Sequence, residues 1–207
     1  MLQITQLKQS FGKTVLDYPD WEVEQGAHSV IIGNSGSGKT TLLHLIGGLM
    51  KSTAGKLVVA NQSLSELKGS KLDKFRGRNI GIVFQKPHLV RSLSVGENLR
   101  LAQSLGSKRP DKKRIDEILK SLDISELKNR KVHQISQGQA QRVSIARAVI
   151  NSPMVLLADE PTASLDDQNC ERVLTLLKDQ ANSNEATLVV ATHDQRIKSE
   201  FKNQLSL

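Results

Sequence analysis

Short apolar runs of strand length alternate along this chain with longer stretches whose apolar positions recur every three or four residues. Leu2, Ile4 and Leu7 open a first strand beginning with period two. Ser29-Val30-Ile31-Ile32 reads as a buried strand that runs straight into a Gly/Ser-rich turn, Gly33 to Gly38. Leu42, Leu43, Leu45, Ile46 and Leu49 then form one helical face, with Gly47 and Gly48 allowing close packing or an early helix end. Leu57-Val58-Val59 and Ile80 to Phe84 predict further strands. Between about Lys86 and Ile150 strand-like runs vanish, and Val95 to Leu105, Arg114 to Leu122 and Gln139 to Ile150 carry helical spacing. This reads as a helical lobe inserted into an α/β core, with Gly106 to Asp111 as its loosest segment. The core resumes with a strand at Met154 to Ala158, a helix through Val173, Leu174, Leu176 and Leu177, and a strand at Leu188 to Ala191. Phe201 to Leu207 are expected to form a short edge strand. Strands alternating with helices predict an α/β fold with a mainly parallel sheet.

Composition narrows the partners. The chain has 207 residues, enough for one domain or one domain with an inserted lobe. Lys plus Arg is 29 and Asp plus Glu is 21, a formal charge of +8 that suits a nucleic acid, an anionic membrane face or an anionic small molecule. Four Phe, one Tyr and one Trp leave few base-stacking platforms, which argues against single-stranded nucleic acid. One cysteine, Cys170, excludes an internal disulfide framework and a Cys-rich zinc site. No secretory signal and no membrane-spanning apolar run is visible, so a soluble, cytosolic chain is expected.

Gly33-Asn34-Ser35-Gly36-Ser37-Gly38-Lys39-Thr40 fits G-x-x-x-x-G-K-[ST] between a predicted strand and a predicted helix. Glycines let backbone N–H groups close around phosphate oxygens, and the helix opening near Lys39 directs its positive end at the same anion. Lys39 adds a point charge for the β- and γ-phosphates, and the Thr40 hydroxyl is a hard oxygen ligand for Mg²⁺. Downstream, the strand ending at Ala158 delivers Asp159 and Glu160 where ligands of open α/β sheets sit. Asp159 is expected to hold Mg²⁺ through water and Glu160 to polarise a water in line with the γ-phosphate. The adjacent pair argues for hydrolysis over transfer to an acceptor.

In order along the chain, these residues resemble the nucleotide-binding subunit of an ABC transporter. Gln85 resembles the Q-loop glutamine, and Ile135-Ser136-Gln137-Gly138-Gln139 the signature motif. Asp159-Glu160-Pro161-Thr162 resembles Walker B, Ser164-Leu165-Asp166 the D-loop, and His193 the H-loop histidine. The resemblance implies a P-loop NTPase core with a mainly parallel sheet, an inserted helical lobe and a small N-terminal antiparallel β region. Residues 1–85 and 151–207 would form the α/β core of a single domain and 86–150 the lobe. It implies Mg²⁺ contacts from Thr40, Gln85 and Asp159, and catalytic roles for Glu160, His193, Gln85 and Lys39. Nucleotide contacts are implied for residues 33–40, for Thr41, and for Ser136, Gly138 and Gln139 reaching a second copy of the chain. Phe11 falls where the family places an aromatic against adenine, although a core or staple role fits it equally. Asp166 would touch the opposite subunit. Gln137 departs from the usual Gly-Gly pair and would cost on the order of 1 kcal/mol or more if that position needed φ > 0.

The expected activity is therefore ATP hydrolysis by a homodimer closed around two Mg·ATP, coupled to a separate integral-membrane permease. That places the chain at the cytoplasmic membrane face, with no direct nucleic-acid contact. Phe84 to Val90 followed by Leu93 to Leu99 resembles the lipoprotein-releasing, macrolide-efflux and cell-division branch. There Leu89, Val90 and Leu93 would line a groove for a coupling helix or else a local core. Two alternatives stand beside this reading: a regulatory cassette controlling a cell-envelope enzyme through a membrane partner, and a soluble cassette acting on DNA or ribosomes.

Overall fold

The computed structural model describes residues 1–106, 109–163 and 165–207. Ser107 and Lys108 of the expected loose segment, and Ser164 of the D-loop match, lie outside the described residues. The N-terminal strands β1 (Leu2–Phe11), β2 (Thr14–Asp17) and β3 (Trp21–Val23) join β5 (Ala54–Val59) and β6 (Gln62–Ser63) in an antiparallel sheet. The second sheet is parallel, in the order β10 (Asn203–Ser206), β4 (Ser29–Ile32), β9 (Thr187–Thr192), β8 (Val155–Asp159), β7 (Ile80–Val83). Both the antiparallel region and the C-terminal edge strand stand where they were expected.

Alternation along the parallel strands divides the core in two. Val30, Ile32, Leu156, Ala158, Leu188 and Val190 point to one side, where they pack with α3 (Val95–Leu105), α4 (Lys112–Ser121), α5 (Gln137–Val149) and α6 (Asp167–Ser183). Ile31, Val155, Leu157, Val189 and Ala191 point to the other, against α1 (Lys39–Ile46) and the antiparallel sheet. Burial on both faces explains why these strands read as unbroken apolar runs. Between 86 and 150 the described residues contain helices and turns and no strand. Among the described residues no helix is long and apolar enough to cross a membrane.

The odd step from Ile4 to Leu7 has a local cause. Gln6 adopts φ 48 and the pairing of β1 with β5 shifts between Thr5 and Lys8, so Leu2, Ile4 and Leu7 all reach the same core. Opposite this bulge Gly55 has φ +83, and a Cβ there would meet the Gln6 carbonyl oxygen at 2.2 Å. Gly55→Ala is accordingly expected to destabilise by about 2–3 kcal/mol, lowering Tm by roughly 5–10 °C. An unchanged melting curve would contradict the bulge.

Leu49 departs from its expected place. Helix α1 ends at Ile46, Gly47 caps it, and Gly48 turns into left-handed backbone at φ 62, which carries Leu49 off the buried face to 45% exposure. The helix α2 (Ser70–Asn79) has no apolar periodicity to announce it, because none of its residues is fully buried. Both β2 and β3 are too short to show alternation.

Candidate active site

The phosphate-loop candidate leaves β4 and enters α1 through residues 33–38. Gly36 and Gly38 stand at φ 82 and φ 98, backbone that an L side chain adopts only with strain. A Cβ at Gly38 would also press on Leu16 Cδ1 at 3.0 Å. No side chain caps α1 and its first turn holds no acid of its own, which leaves the positive end of that helix open to an anion. Lys39, 5% exposed, curls back over the loop and donates to the carbonyls of Gly33 at 2.9 Å and Asn34 at 3.0 Å. Its ammonium stands 3.8 Å from Glu160 Oε1. The Ser37 hydroxyl is buried with no hydrogen-bond partner among the described residues.

Strand β8 brings the carboxylates alongside. Thr40 Oγ1 donates to Asp159 Oδ1 at 3.1 Å, so two hard oxygens meet at the base of the site. Burial pushes the Asp159 carboxyl above its ordinary range; the Thr40 bond opposes this and the neighbouring Glu160 charge adds to it. Glu160 leaves the strand with φ 46, held by its own N–H to the Ala191 carbonyl at 2.8 Å. Left-handed backbone at a non-glycine costs on the order of 1–3 kcal/mol and here swings the carboxylate sideways toward the end of β9. There Glu160 Oε2 accepts from Thr192 Oγ1 at 3.0 Å and the His193 N–H at 3.4 Å, while Oε1 lies 2.9 Å from His193 Nδ1.

One open cavity of about 620 Å³ gathers Phe11, Ser35, Gly36, Gly38, Lys39, Thr40, Thr41, Gln85, Glu160 and His193. Phe11 is 48% exposed, a ring held at the cavity wall and not a core residue. Thr14 and Leu16 of β2 complete the wall and were not anticipated, since an exposed four-residue strand carries no periodic signal. Gly33, Asn34, Ser37 and Asp159 are absent from the wall; Asp159 is reached through Thr40, and Asn34 through its carbonyl bond to Lys39.

Ser136, Gly138 and Gln139 stand apart from this cavity, at the N-terminus of α5. Ser136 Oγ accepts the Gln139 N–H at 3.2 Å, and Gln139 Oε1 accepts the Ser136 N–H at 2.9 Å, a reciprocal cap. Ser136, Gln137 and Gly138 are exposed, and a Cβ on Gly138 would meet nothing within 4 Å of its own chain. Gln137 begins the helix with no positive φ, so the backbone cost weighed against this residue does not arise. Asp166 caps α6, accepting from Asn169 N at 2.8 Å and Nδ2 at 2.9 Å. Of the groove residues, Val90 lines a cavity of about 650 Å³ with Phe84, Leu101 and Leu105. Leu89 is buried in the core and, like Leu93, lies outside that wall.

These residues fit a magnesium triphosphate. A positive helix end, an ammonium and a loop opened by left-handed glycines face one anion, and the Thr40–Asp159 oxygen pair suits a hard cation. The family model described as "ABC transporter" matches residues 16–163. The lipoprotein-releasing system ATP-binding protein LolD of Syntrophotalea carbinolica is 36% identical over 204 residues, covering 95% of this chain and 90% of that protein. LolD of Treponema denticola is 36% identical over 187 residues, 89% of this chain and 83% of that protein. The dimeric post-hydrolysis structure of the ATP-binding cassette MJ0796, bound to ADP and Pi, matches with a TM-score of 0.88 at 32% identity over 100% of this chain and 94% of that one. The structure of cbiO1 from Clostridium perfringens, part of the ABC transporter complex cbiONQ, matches with a TM-score of 0.82 at 32% identity, covering 93% and 78%. The chain belongs to the ABC transporter family, as an ATP-binding cassette that uses Mg²⁺ and hydrolyses ATP.

Proposed function

We propose that this cassette works as a homodimer at the cytoplasmic face of a membrane, docked on a separate permease. Each ATP is gripped by residues 33–41 of one copy and closed off by Ser136 and Gly138 of the other. In that reading Lys39 neutralises the β- and γ-phosphates, and Thr40 with Asp159 and Gln85 holds the metal. A Mg²⁺ held by these oxygens would supply positive charge against the phosphates. Glu160 draws a proton from the attacking water, and His193, 2.9 Å away, keeps that carboxylate turned toward the cavity. Residues 86–150 act as the moving lobe, with Gln85 at its entrance reporting whether the γ-phosphate is present.

The observation that carries this reading is the exposure of Ser136 and Gly138 on a helix start outside the cavity. A helix start whose glycine is crowded by none of the described residues supports a role in receiving another molecule's anion. The LolD relatives favour a permease of the lipoprotein-releasing branch, in which motion is transmitted across the membrane. Because cbiO1, part of a different ABC transporter complex, also matches, at 32% identity, cargo is assigned to the membrane partner and not to this chain.

The test is the dependence of hydrolysis on protein concentration. Below the dimer dissociation constant, activity per chain is expected to rise in proportion to concentration, then to level off. Activity per chain that stays flat over the whole range would mean that one copy builds a complete site.

A further inference from the structure

Beside the catalytic cavity lies a second polar assembly, centred on Arg196 in the 3₁₀ turn after β9 (Gln195–Glu200). Its guanidinium grips Asp194 in a fork: Nε lies 2.8 Å from Oδ1 and 3.0 Å from Oδ2, and Nη2 lies 2.6 Å from Oδ2. The same group turns to the segment that opens α6. Nη1 bonds the Asp167 carboxylate, and Nη1 and Nη2 approach the Leu165 carbonyl at 3.4 and 3.3 Å. A planar fork with five donors suits such a set of acceptors, and an ammonium does not.

Asp194 continues the connection inward. It also accepts the Arg196 N–H at 3.0 Å and the Thr162 hydroxyl at 3.5 Å, and its N–H donates to Thr192 Oγ1 at 3.0 Å. Thr192 Oγ1 in turn donates to Glu160 Oε2 at 3.0 Å. Arg196 holds the Asp194 carboxyl below its usual range, as a charge-assisted fork does. His193 is thus fixed between a buried threonine and a clamped aspartate.

The geometry points to Arg196 as a positioning residue. It ties Leu165 and Asp167, which flank Asp166 at the cap of α6, to the Asp194–Thr192 pair that holds His193 and Glu160. Docking of the second copy on Asp166 is thereby transmitted to the orientation of the carboxylate that activates water. Without the guanidinium, Asp167 and Asp194 face each other as like charges and the two segments part. This assignment rests on the role proposed for Glu160 and on the subunit contact that the family resemblance implies for Asp166, and it adds a link that neither requires.

The experiment measures ATP hydrolysis by the full chain for Arg196→Ala, Arg196→Lys, Asp167→Asn and the Arg196→Ala/Asp167→Asn double variant. Binding of a fluorescent ATP analogue and the melting temperature are followed alongside. Misplaced catalytic groups cost up to roughly 100-fold, and Arg196→Ala is expected to lower kcat by about 10- to 100-fold, with KM and analogue affinity within about twofold. Arg196→Lys should fall between the alanine variant and the parent. The double variant should lose less than the product of the two single losses, because both remove one link.

An unchanged kcat, a loss that follows analogue affinity or melting temperature, or strictly multiplicative single and double losses would overturn the assignment. Should the alanine variant not fold, the lysine variant decides by the same kcat-against-KM split. Glu160→Gln is run in parallel: full turnover there removes the base role itself, whereas full turnover only in the Arg196 variants removes the link.

Discussion

Replacing Glu160 with glutamine is expected to cut ATP turnover by about 10²- to 10⁴-fold, the range a positioned general base contributes, while nucleotide binding is retained. The amide keeps the size of the carboxylate and can still accept the Thr192 hydroxyl bond, so the end of β9 should not move. Its basicity is lost, and with it the negative charge that stands 3.8 Å from the Lys39 ammonium and, in the proposed site, would repel the terminal phosphate. Removing that repulsion should also lengthen the life of the ATP-bound closed dimer, visible as an earlier-eluting species on size-exclusion chromatography. Phosphate release at the parental rate would exclude Glu160 as the base.

The second large effect concerns Ser136. An arginine there fills the exposed helix start that the proposal assigns to the partner's γ-phosphate, and turnover is expected to fall by about 10³-fold or more, as when other P-loop enzymes lose a group supplied in trans. Loss of the Gln139 cap accounts for only about 1 kcal/mol of stability. The decisive arm is mixing. Lys39→Ala chains lack the ammonium proposed to bind phosphate but keep Ser136, and Ser136→Arg chains have the converse defect. In a mixed dimer one composite site carries both lesions and the other carries neither. With random exchange and independent sites, an equal mixture of the two inactive proteins should recover about a quarter of parental activity. No recovery under conditions where subunits demonstrably exchange would show that each chain works alone.

Much of the site was legible from local sequence. Residues 33–40 are consecutive, and glycine at 36 and 38 with lysine at 39 states the loop's backbone and charge requirements directly; both glycines do take left-handed backbone. The reciprocal cap of Ser136 and Gln139 is just as local, joining residues three apart, but it was not among the expectations. Gln137 shows the limit of motif reasoning. Its departure from a glycine pair suggested backbone strain, yet position 137 is the first residue of an ordinary helix and demands no positive φ. Leu49 fails for a related reason: apolar spacing continued past Ile46, while the glycines that follow had already turned the chain.

Apolar runs, glycine turns and cap residues are short-range features, and they were enough to read the parallel-sheet class, the phosphate loop and the carboxylate pair. What they cannot express is which strand ends become neighbours. The order β4-β9-β8 puts the end of the Glu160 strand next to the end of the His193 strand across 33 residues, while β2, from the other sheet, shares a cavity with the phosphate loop. It likewise sets Arg196 against the Leu165 carbonyl across 31 residues. Those contacts come from non-local strand pairing and shared core burial, to which the identity of neighbouring residues along the chain is blind.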